Sequence, residues 1–213
     1  RGQGEGRCLA CVRNIAYYSD MKTPMATLAE KVLKHASELP EGAPLSAKGL
    51  LHLGNRAAVD QVLSRLARRG ELTRAGRGLY LKPVNNRFGK RAPSAAKTVQ
   101  GLSAQRGETI VPHAAAAANA LGLTTQVPMR EIYLTTGPSR TLTLGSQVVE
   151  LRHASAEKLV LAGRTAGDVV RALEWLGKEK AGAALQQLKS RLPAEELHEL
   201  AMARPRLSTW MAR

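Results

Sequence analysis

The stretch that follows Asn55 has the spacing of apolar residues that one helix face requires. Four apolar side chains recur there at intervals of three and four residues: Val59, Val62, Leu63 and Leu66. Asn55 is a favourable N-cap, and Gly70 is a favourable residue just past a helix C-terminus. We therefore predict a helix between them that buries this stripe. Its opposite face carries Gln61, Ser64 and Arg68.

The segments on either side complete a small domain. An earlier amphipathic helix is predicted over residues 24–39, and a short helix begins at Ser46, a suitable N-cap. After Gly70, two short strand-like runs flank a Gly-rich turn in residues 71–81, which indicates a β-hairpin. Three helices followed by such a hairpin are the layout of a winged helix-turn-helix.

The second half alternates helices with strands. A helix is predicted over residues 94–106, followed by a short strand at 109–111 and an Ala-rich helix that ends at Gly122. Three further helices are predicted between Thr165 and Ala203. Between these helical parts lie three strand-like runs with glycine-containing turns, which predict an antiparallel meander. The runs are residues 131–135, 140–144 and 147–152.

These elements predict an α+β fold with two domains. An N-terminal winged helix-turn-helix covers residues 21–83, and a C-terminal domain with a small antiparallel sheet and several helices covers residues 94–213. Residues 84–93 have turn formers and cations but no periodicity, which indicates a basic linker. Residues 1–20 are rich in Gly and Arg and precede a natural-looking start at Met21, so we interpret them as a disordered extension.

The positive charge of the chain is concentrated in its first half. The net charge is +15, and residues 21–100 contain 15 Lys and Arg against 5 Asp and Glu. Residues 101–213 contain 14 against 10. A solvated surface explains one Arg-rich helix, but the concentration here favours binding to a polyanion such as double-stranded DNA.

The DNA-contacting side chains are expected on the exposed face of the second long helix, at the start of the short helix and on the hairpin. An Arg fork can address guanine and a Gln amide can address adenine, so Arg65, Arg68 and Gln61 are the candidates for base reading. The full candidate set is Ser46, Lys48, Arg56, Gln61, Ser64, Arg65, Arg68, Arg69, Arg74 and Arg77.

We predict no catalytic residue, no metal ligand and no cofactor. The His residues are scattered, and Cys8 and Cys11 form a C-x-x-C pair without the second pair that a zinc site needs. Ser139 lacks the strand-turn-helix setting of a nucleophile elbow. No apolar run reaches the roughly 18 residues of a transmembrane helix and no signal pattern opens the chain, so the expected location is the cytoplasm.

Several blocks of the sequence resemble the AbiEi-like antitoxins. The similarity runs from about Met25 to Trp210, and its most specific part lies behind the predicted winged helix. The blocks are residues 56–66, 70–72, 77–80, 117–128 and 133–140.

This resemblance implies a bacterial protein of a type IV toxin-antitoxin system. Its winged helix would repress its own operon at a DNA operator, with inverted repeats as one arrangement. Its C-terminal domain would counteract a co-encoded nucleotidyltransferase-like toxin without requiring a stable complex. Gln126 and Arg140 are our candidates for the antitoxin function, since amide and guanidinium groups suit specific polar recognition. Alternatively, Arg140 covers a strand edge and Gln126 satisfies loop backbone.

The sequence is also compatible with two other functions. One is a stand-alone transcriptional regulator whose C-terminal domain mediates ligand sensing or oligomerisation. The other is a protein-protein adaptor that uses the basic face on an acidic partner. A nucleotidyltransferase gene directly downstream would favour the antitoxin, and an absence of sequence-selective DNA binding would favour the adaptor.

Overall fold

The computed structural model of the chain describes residues 26–87, 89–126 and 129–212. This described part contains seven α-helices and nine β-strands, so the predicted α+β class is confirmed. The strands form sheets of three, two and four strands. The predicted extension over residues 1–20, with Cys8 and Cys11, lies outside the described residues.

Residues 26–81 form two α-helices and a three-stranded sheet. Thr27 and Glu30 form a capping box at the first helix, in which the Thr27 Oγ1 accepts from the Glu30 N–H at 3.3 Å and the Glu30 carboxylate accepts from the Thr27 N–H at 2.8 Å. The elements are α1 (Leu28–Glu38), β1 (Pro44–Leu45), a 3-10 helix (Lys48–Leu50), α2 (Arg56–Arg68), β2 (Thr73–Gly76) and β3 (Leu79–Leu81). Both β1 and β2 pair antiparallel with β3, so the sheet order is β1-β3-β2.

Helix α2 forms as its residue spacing predicts. The Asn55 Oδ1 accepts a hydrogen bond from the Ala58 N–H at 2.8 Å, and Gly70 adopts a left-handed φ of 70° just past the C-terminus. The apolar stripe joins a core that α1 also lines, which turns the opposite face of α2 to solvent. The fully buried stripe residues are Val59, Leu63 and Leu66.

The segment predicted to be an irregular basic linker forms a β-hairpin instead. Strand β4 (Val84–Asn86) pairs antiparallel with β5 (Gly89–Arg91), and Asn85 lies opposite Lys90. Gly89 has a φ of 110°, a conformation that favours glycine. The hairpin side chains are exposed or half-buried, so no alternation of apolar and polar residues marks its strands in the sequence.

The second half supplies the remaining five described helices and the four-stranded sheet. Its elements are α3 (Ala95–Arg106), β6 (Ile110–Pro112), α4 (Ala114–Ala120), β7 (Glu131–Thr135), β8 (Arg140–Leu144), β9 (Gln147–His153), α5 (Thr165–Leu176), α6 (Lys178–Lys189) and α7 (Ala194–Ala203). His113 is the N-cap of α4, and its Nδ1 accepts from the Ala115 N–H at 3.4 Å. Burial and the nearby Arg152 lower the pKa of His113, which favours the neutral ring that this cap requires.

The four-stranded sheet is mixed, and the predicted antiparallel meander is wrong. Its order is β6-β7-β9-β8, with β7 parallel to β9 and β8 antiparallel to β9. The connection from β7 to β8 crosses the end of β9, where the Ser139 Oγ accepts from the His153 N–H at 2.9 Å. The His153 Nδ1 also lies 3.1 Å from the Gly137 carbonyl oxygen. These contacts hold the crossing in place, so β9 lies between β7 and β8.

One hydrophobic core is shared by the two halves of the chain. Ala75, Leu79 and Leu81 of the β2–β3 hairpin are buried in a cluster with side chains of α3, β8 and β9. The hairpin is therefore packed on the four-stranded sheet instead of projecting freely. The partners from the second half include Val99, Leu102, Leu142, Leu144, Val149 and Leu151.

The backbone of helix α3 also packs closely against the backbone of the turn between α1 and β1. A Cβ added at Gly101 would lie 2.8 Å from the Gly42 carbonyl oxygen, and one added at Gly42 would lie 2.5 Å from the Lys97 carbonyl carbon. An ion pair between Lys97 and Glu41 spans the same junction and lowers the pKa of the Glu41 carboxyl. The two halves are thus joined at two separate places.

Candidate nucleic-acid interface

The face of α2 opposite its buried stripe is open to solvent. The side chains of Gln61, Arg65 and Arg68 are exposed, and that of Ser64 is half-buried. Arg65 and Arg68 lie in the last turn of α2, where the helix dipole favours positive charge. The periodicity that predicts the buried stripe therefore also predicts this face correctly.

Arg56 and Arg69 lie at the two ends of α2 and are also exposed. The Arg56 Nε lies 3.0 Å from the Asp60 Oδ2, with side chains 64% and 49% exposed. An exposed pair of this kind contributes about 0.2–1 kcal/mol, so it does not prevent Arg56 from meeting a phosphate. Arg69 is the C-cap residue of α2.

Ser46 and Lys48 belong to a shorter element than the sequence predicts. The predicted short helix is a single 3-10 turn, and the Ser46 Oγ accepts from the Gly49 N–H at 3.3 Å. Ser46 is half-buried, whereas Lys48 is exposed. The N-cap residue of this turn is Ala47 and not the predicted Ser46, whose hydroxyl nevertheless satisfies the Gly49 N–H, and Lys48 is the side chain that this element presents to solvent.

Arg74 and Arg77 are exposed on the β2–β3 hairpin. The turn between the strands consists of Arg77 and Gly78, and Gly78 has a φ of 65°. Ala75 lies between these two arginines in sequence and is buried in the shared core, so the backbone that carries both arginines is held in place. The Cα atoms from which both guanidinium groups extend are therefore fixed in position.

Further cations, outside the predicted site residues, lie on the segment after β3. Lys82, Lys90 and Arg91 are exposed, and the last two are on β5. Their charge is evident in the sequence, but the strand that holds Lys90 and Arg91 is not. No local pattern of residues could have assigned them to an ordered basic surface.

The structure gives Arg140 a partner within the chain. The Arg140 Nη1 donates to the Glu108 Oε1 at 3.1 Å, its Nη2 binds the other carboxylate oxygen, and the two side chains are only 18% and 13% exposed. The Glu108 Oε2 also accepts from the Thr135 hydroxyl at 3.2 Å. A Cβ at Gly137 would lie 2.4 Å from the Glu108 carboxyl carbon, so a larger residue there would displace this carboxylate from Arg140. The geometry thus favours a structural role for Arg140 over the predicted antitoxin role.

Replacing Arg140 with alanine is expected to lower the free energy of unfolding by about 3 kcal/mol, because Glu108 would remain buried without its two-pronged partner. Urea unfolding would measure the loss. Arg152→Ala is a matched control, since Arg152 binds Glu150 through two nitrogens but is 52% exposed, and it should cost under about 1 kcal/mol. Equal losses in the two variants would contradict the structural role.

Gln126 lies in the loop after α4 and is exposed. Its backbone is held on both sides: its N–H donates to the Thr124 Oγ1 at 3.1 Å, and its carbonyl accepts from the Asn119 Nδ2 at 3.0 Å. The loop is therefore ordered by backbone contacts, while the Gln126 side chain is presented to solvent. Its antitoxin role stays a prediction.

Within the part of the chain that the structure describes, no group of three or more His, Cys, Asp or Glu residues is placed to hold a metal ion. Among the helices of that part, none combines the length and the apolar character needed to cross a membrane.

Comparison with known protein families finds one match. A family model described as a family of unknown function, DUF6088, matches residues 30–200. The matched range includes α2, both hairpins and the four-stranded sheet. Comparison with curated proteins and with solved structures finds no match.

Proposed function

The chain belongs to the DUF6088 family, a family of unknown function, and we propose a function for it from its own residues. We propose that it is a DNA-binding antitoxin of a type IV system that acts in the cytoplasm. It represses its own operon and counteracts a nucleotidyltransferase-like toxin. The observation that carries the DNA-binding part of this proposal is the exposed basic face of α2, which the β2–β3 hairpin follows in the chain.

The order of the elements supports the assignment of residues 21–83 as a winged helix-turn-helix. A helix, a short strand, a helical turn, a second long helix and a hairpin follow one another, and the central strand of the sheet is the last in sequence. In helix-turn-helix proteins the second helix of the motif enters the major groove. Helix α2 occupies that position here, with its apolar stripe turned inward.

The exposed residues of α2 include the chemistry that base recognition uses. Arg65 and Arg68 each offer a planar guanidinium fork to a guanine, and Gln61 offers an amide to an adenine. Each two-pronged contact of this kind discriminates against the wrong base by about 1–3 kcal/mol. The surrounding cations supply affinity for phosphates without regard to sequence.

Binding to the promoter fragment upstream of the gene is expected to depend steeply on salt. If about six cations meet phosphates, the logarithm of the affinity should fall with the logarithm of the salt concentration at a slope of about −5. Titrations by fluorescence anisotropy at several salt concentrations would measure it, with an unrelated duplex of equal length as the control. A protein that fails to bind either duplex at low ionic strength would refute the proposal.

The antitoxin part of the proposal is supported by the resemblance to AbiEi-like antitoxins in residues 117–128 and 133–140. The test is co-expression with the product of the gene directly downstream, with growth as the readout. An Arg65→Ala, Arg68→Ala variant should still protect, because the antitoxin activity is assigned to the second half. A downstream gene that is not toxic would refute this part and leave the DNA-binding part standing.

One observation favours the stand-alone regulator with a ligand-sensing domain as the second candidate. A cleft of about 920 Å³ lies between the end of α2 and the four-stranded sheet. Ligand pockets in proteins commonly have volumes of about 300–1,000 Å³. A regulator that senses a ligand requires a space for that ligand, whereas an antitoxin does not.

A further inference from the structure

The cleft is formed by three parts of the fold that are far apart in sequence. Arg69 and Gly70 at the end of α2 lie on one side, β5 and the start of α3 on the second, and β7 with the β8–β9 turn on the third. Its volume is about 920 Å³. The cleft is therefore large enough for a small organic ligand and bounded on several sides.

Two of these sides are positively charged. Arg69 lines the first, Lys90 and Arg91 from β5 line the second, and all three are exposed. Cations gathered on one surface repel one another, and a bound anion relieves that repulsion. The N-terminus of α3, capped by Ser94, lines the same region, where the Glu41 carboxylate interacts with the Ser94 backbone and with Arg91. The phosphate site is therefore assigned to the three cations and not to the helix N-terminus.

The side formed by the sheet carries hydrogen-bonding groups and an aromatic ring. The Glu131 Oε1 accepts from the Gln147 Nε2 at 2.6 Å, whereas the Glu131 Oε2 is buried and accepts no hydrogen bond within the described part of the chain. A buried acceptor of this kind is stabilised by an N–H donor. The half-buried ring of Tyr133 lies beside it in the cleft wall and offers a stacking surface.

We propose that this cleft binds a mononucleotide. The phosphate lies on Arg69, Lys90 and Arg91. The Glu131 carboxylate turns its Oε2 out of its buried position and accepts a hydrogen bond from the amino group of the base near Tyr133. This proposal names the ligand class for the second candidate function, the ligand-sensing regulator, and neither the phosphate site nor the base site depends on DNA binding.

The test is isothermal titration calorimetry of the full chain with adenosine 5′-monophosphate at low ionic strength. Inorganic phosphate and adenosine are the two part-ligands, and each should bind at least about tenfold more weakly than the whole nucleotide. Inosine 5′-monophosphate carries a carbonyl oxygen where adenine carries its amino group. It should also bind about tenfold more weakly, because that oxygen would face a carboxylate.

Two variants test which residues bind the phosphate and which bind the base. Lys90→Ala with Arg91→Ala should weaken both the nucleotide and inorganic phosphate by at least about tenfold. Glu131→Gln should remove the preference for the adenine nucleotide over the inosine nucleotide while leaving phosphate binding unchanged. Lys178→Ala with Lys180→Ala removes two exposed cations from α6 and should change nothing. Circular dichroism would show that each variant is folded.

Three results would overturn the proposal. The first is that the nucleotide does not bind. The second is equal affinity for the nucleotide and for inorganic phosphate with no discrimination against inosine 5′-monophosphate, which would indicate a site for simple anions. The third is that a single-stranded oligonucleotide binds much more tightly than the mononucleotide and is weakened by the same variants, which would assign the cleft to a nucleic-acid strand.

Discussion

Replacing Arg65 and Arg68 together with alanine is expected to abolish the preference of the protein for its operator over unrelated duplex DNA. Both side chains are exposed on the face of α2 that is turned away from the core. If each makes a two-pronged contact with a guanine, their loss removes about 2 to 6 kcal/mol of discrimination, a factor of at least about thirty. Competition binding against unrelated DNA and footprinting on the promoter fragment would measure the loss.

The same double variant should keep the stability of the parent protein, because neither side chain contributes to a buried cluster. The matched control is again Lys178→Ala with Lys180→Ala, which removes the same charge from an exposed helix of the second half. This control should weaken binding to every duplex slightly through charge and leave operator preference intact. A footprint that survives the α2 double variant unchanged would show that this face does not read bases.

Replacing Leu142 with alanine is expected to lower the free energy of unfolding by about 2–5 kcal/mol and to loosen the first half of the chain as well. Leu142 is a strand β8 residue that is 2% exposed, and it lies in the core that Ala75, Leu79 and Leu81 also enter. Because this core joins both halves, we expect a single unfolding transition. Hydrogen exchange at the amides of α1 and α2 should quicken together with exchange in the sheet.

Val148→Ala provides the comparison for that experiment. Val148 is on β9 of the same sheet but is 50% exposed. Its truncation should therefore lower the free energy of unfolding by well under half as much as Leu142→Ala does, and should leave the amides of α1 and α2 protected from hydrogen exchange. Urea unfolding and hydrogen exchange would report both quantities. Two separate transitions in the parent protein, or a Leu142→Ala variant whose first half exchanges at the parent rate, would show that the halves are independent.

Local signals in the sequence predict the parts of the fold that depend on local interactions. The bounds of α2 follow from the Asn55 cap, the apolar stripe and Gly70, all within 16 residues. The mixed sheet could not be predicted in this way, because its strand order depends on contacts such as Ser139 with His153 across the end of β9. Strand runs with short turns are equally compatible with a meander.

The same distinction between local and long-range interactions applies to the candidate site. The exposed face of α2 is predictable because helix periodicity fixes a buried face and an exposed face at once. The pairing of Arg140 with Glu108 is not, since the two residues are 32 positions apart and meet only through the sheet. The cleft is harder still to predict, because Arg69, Lys90 and Glu131 come from three separate elements.

The core that joins the two halves determines which mutations can separate the activities of this protein. A truncated gene that starts at Ala92 would leave Leu142 and Leu144 without the cover of the β2–β3 hairpin, so we expect proteases to lower the abundance of its product. Alleles that damage the shared interior would likewise lose every activity at once. Separating the roles of this protein therefore requires point changes confined to solvent-facing positions, scored alongside protein abundance.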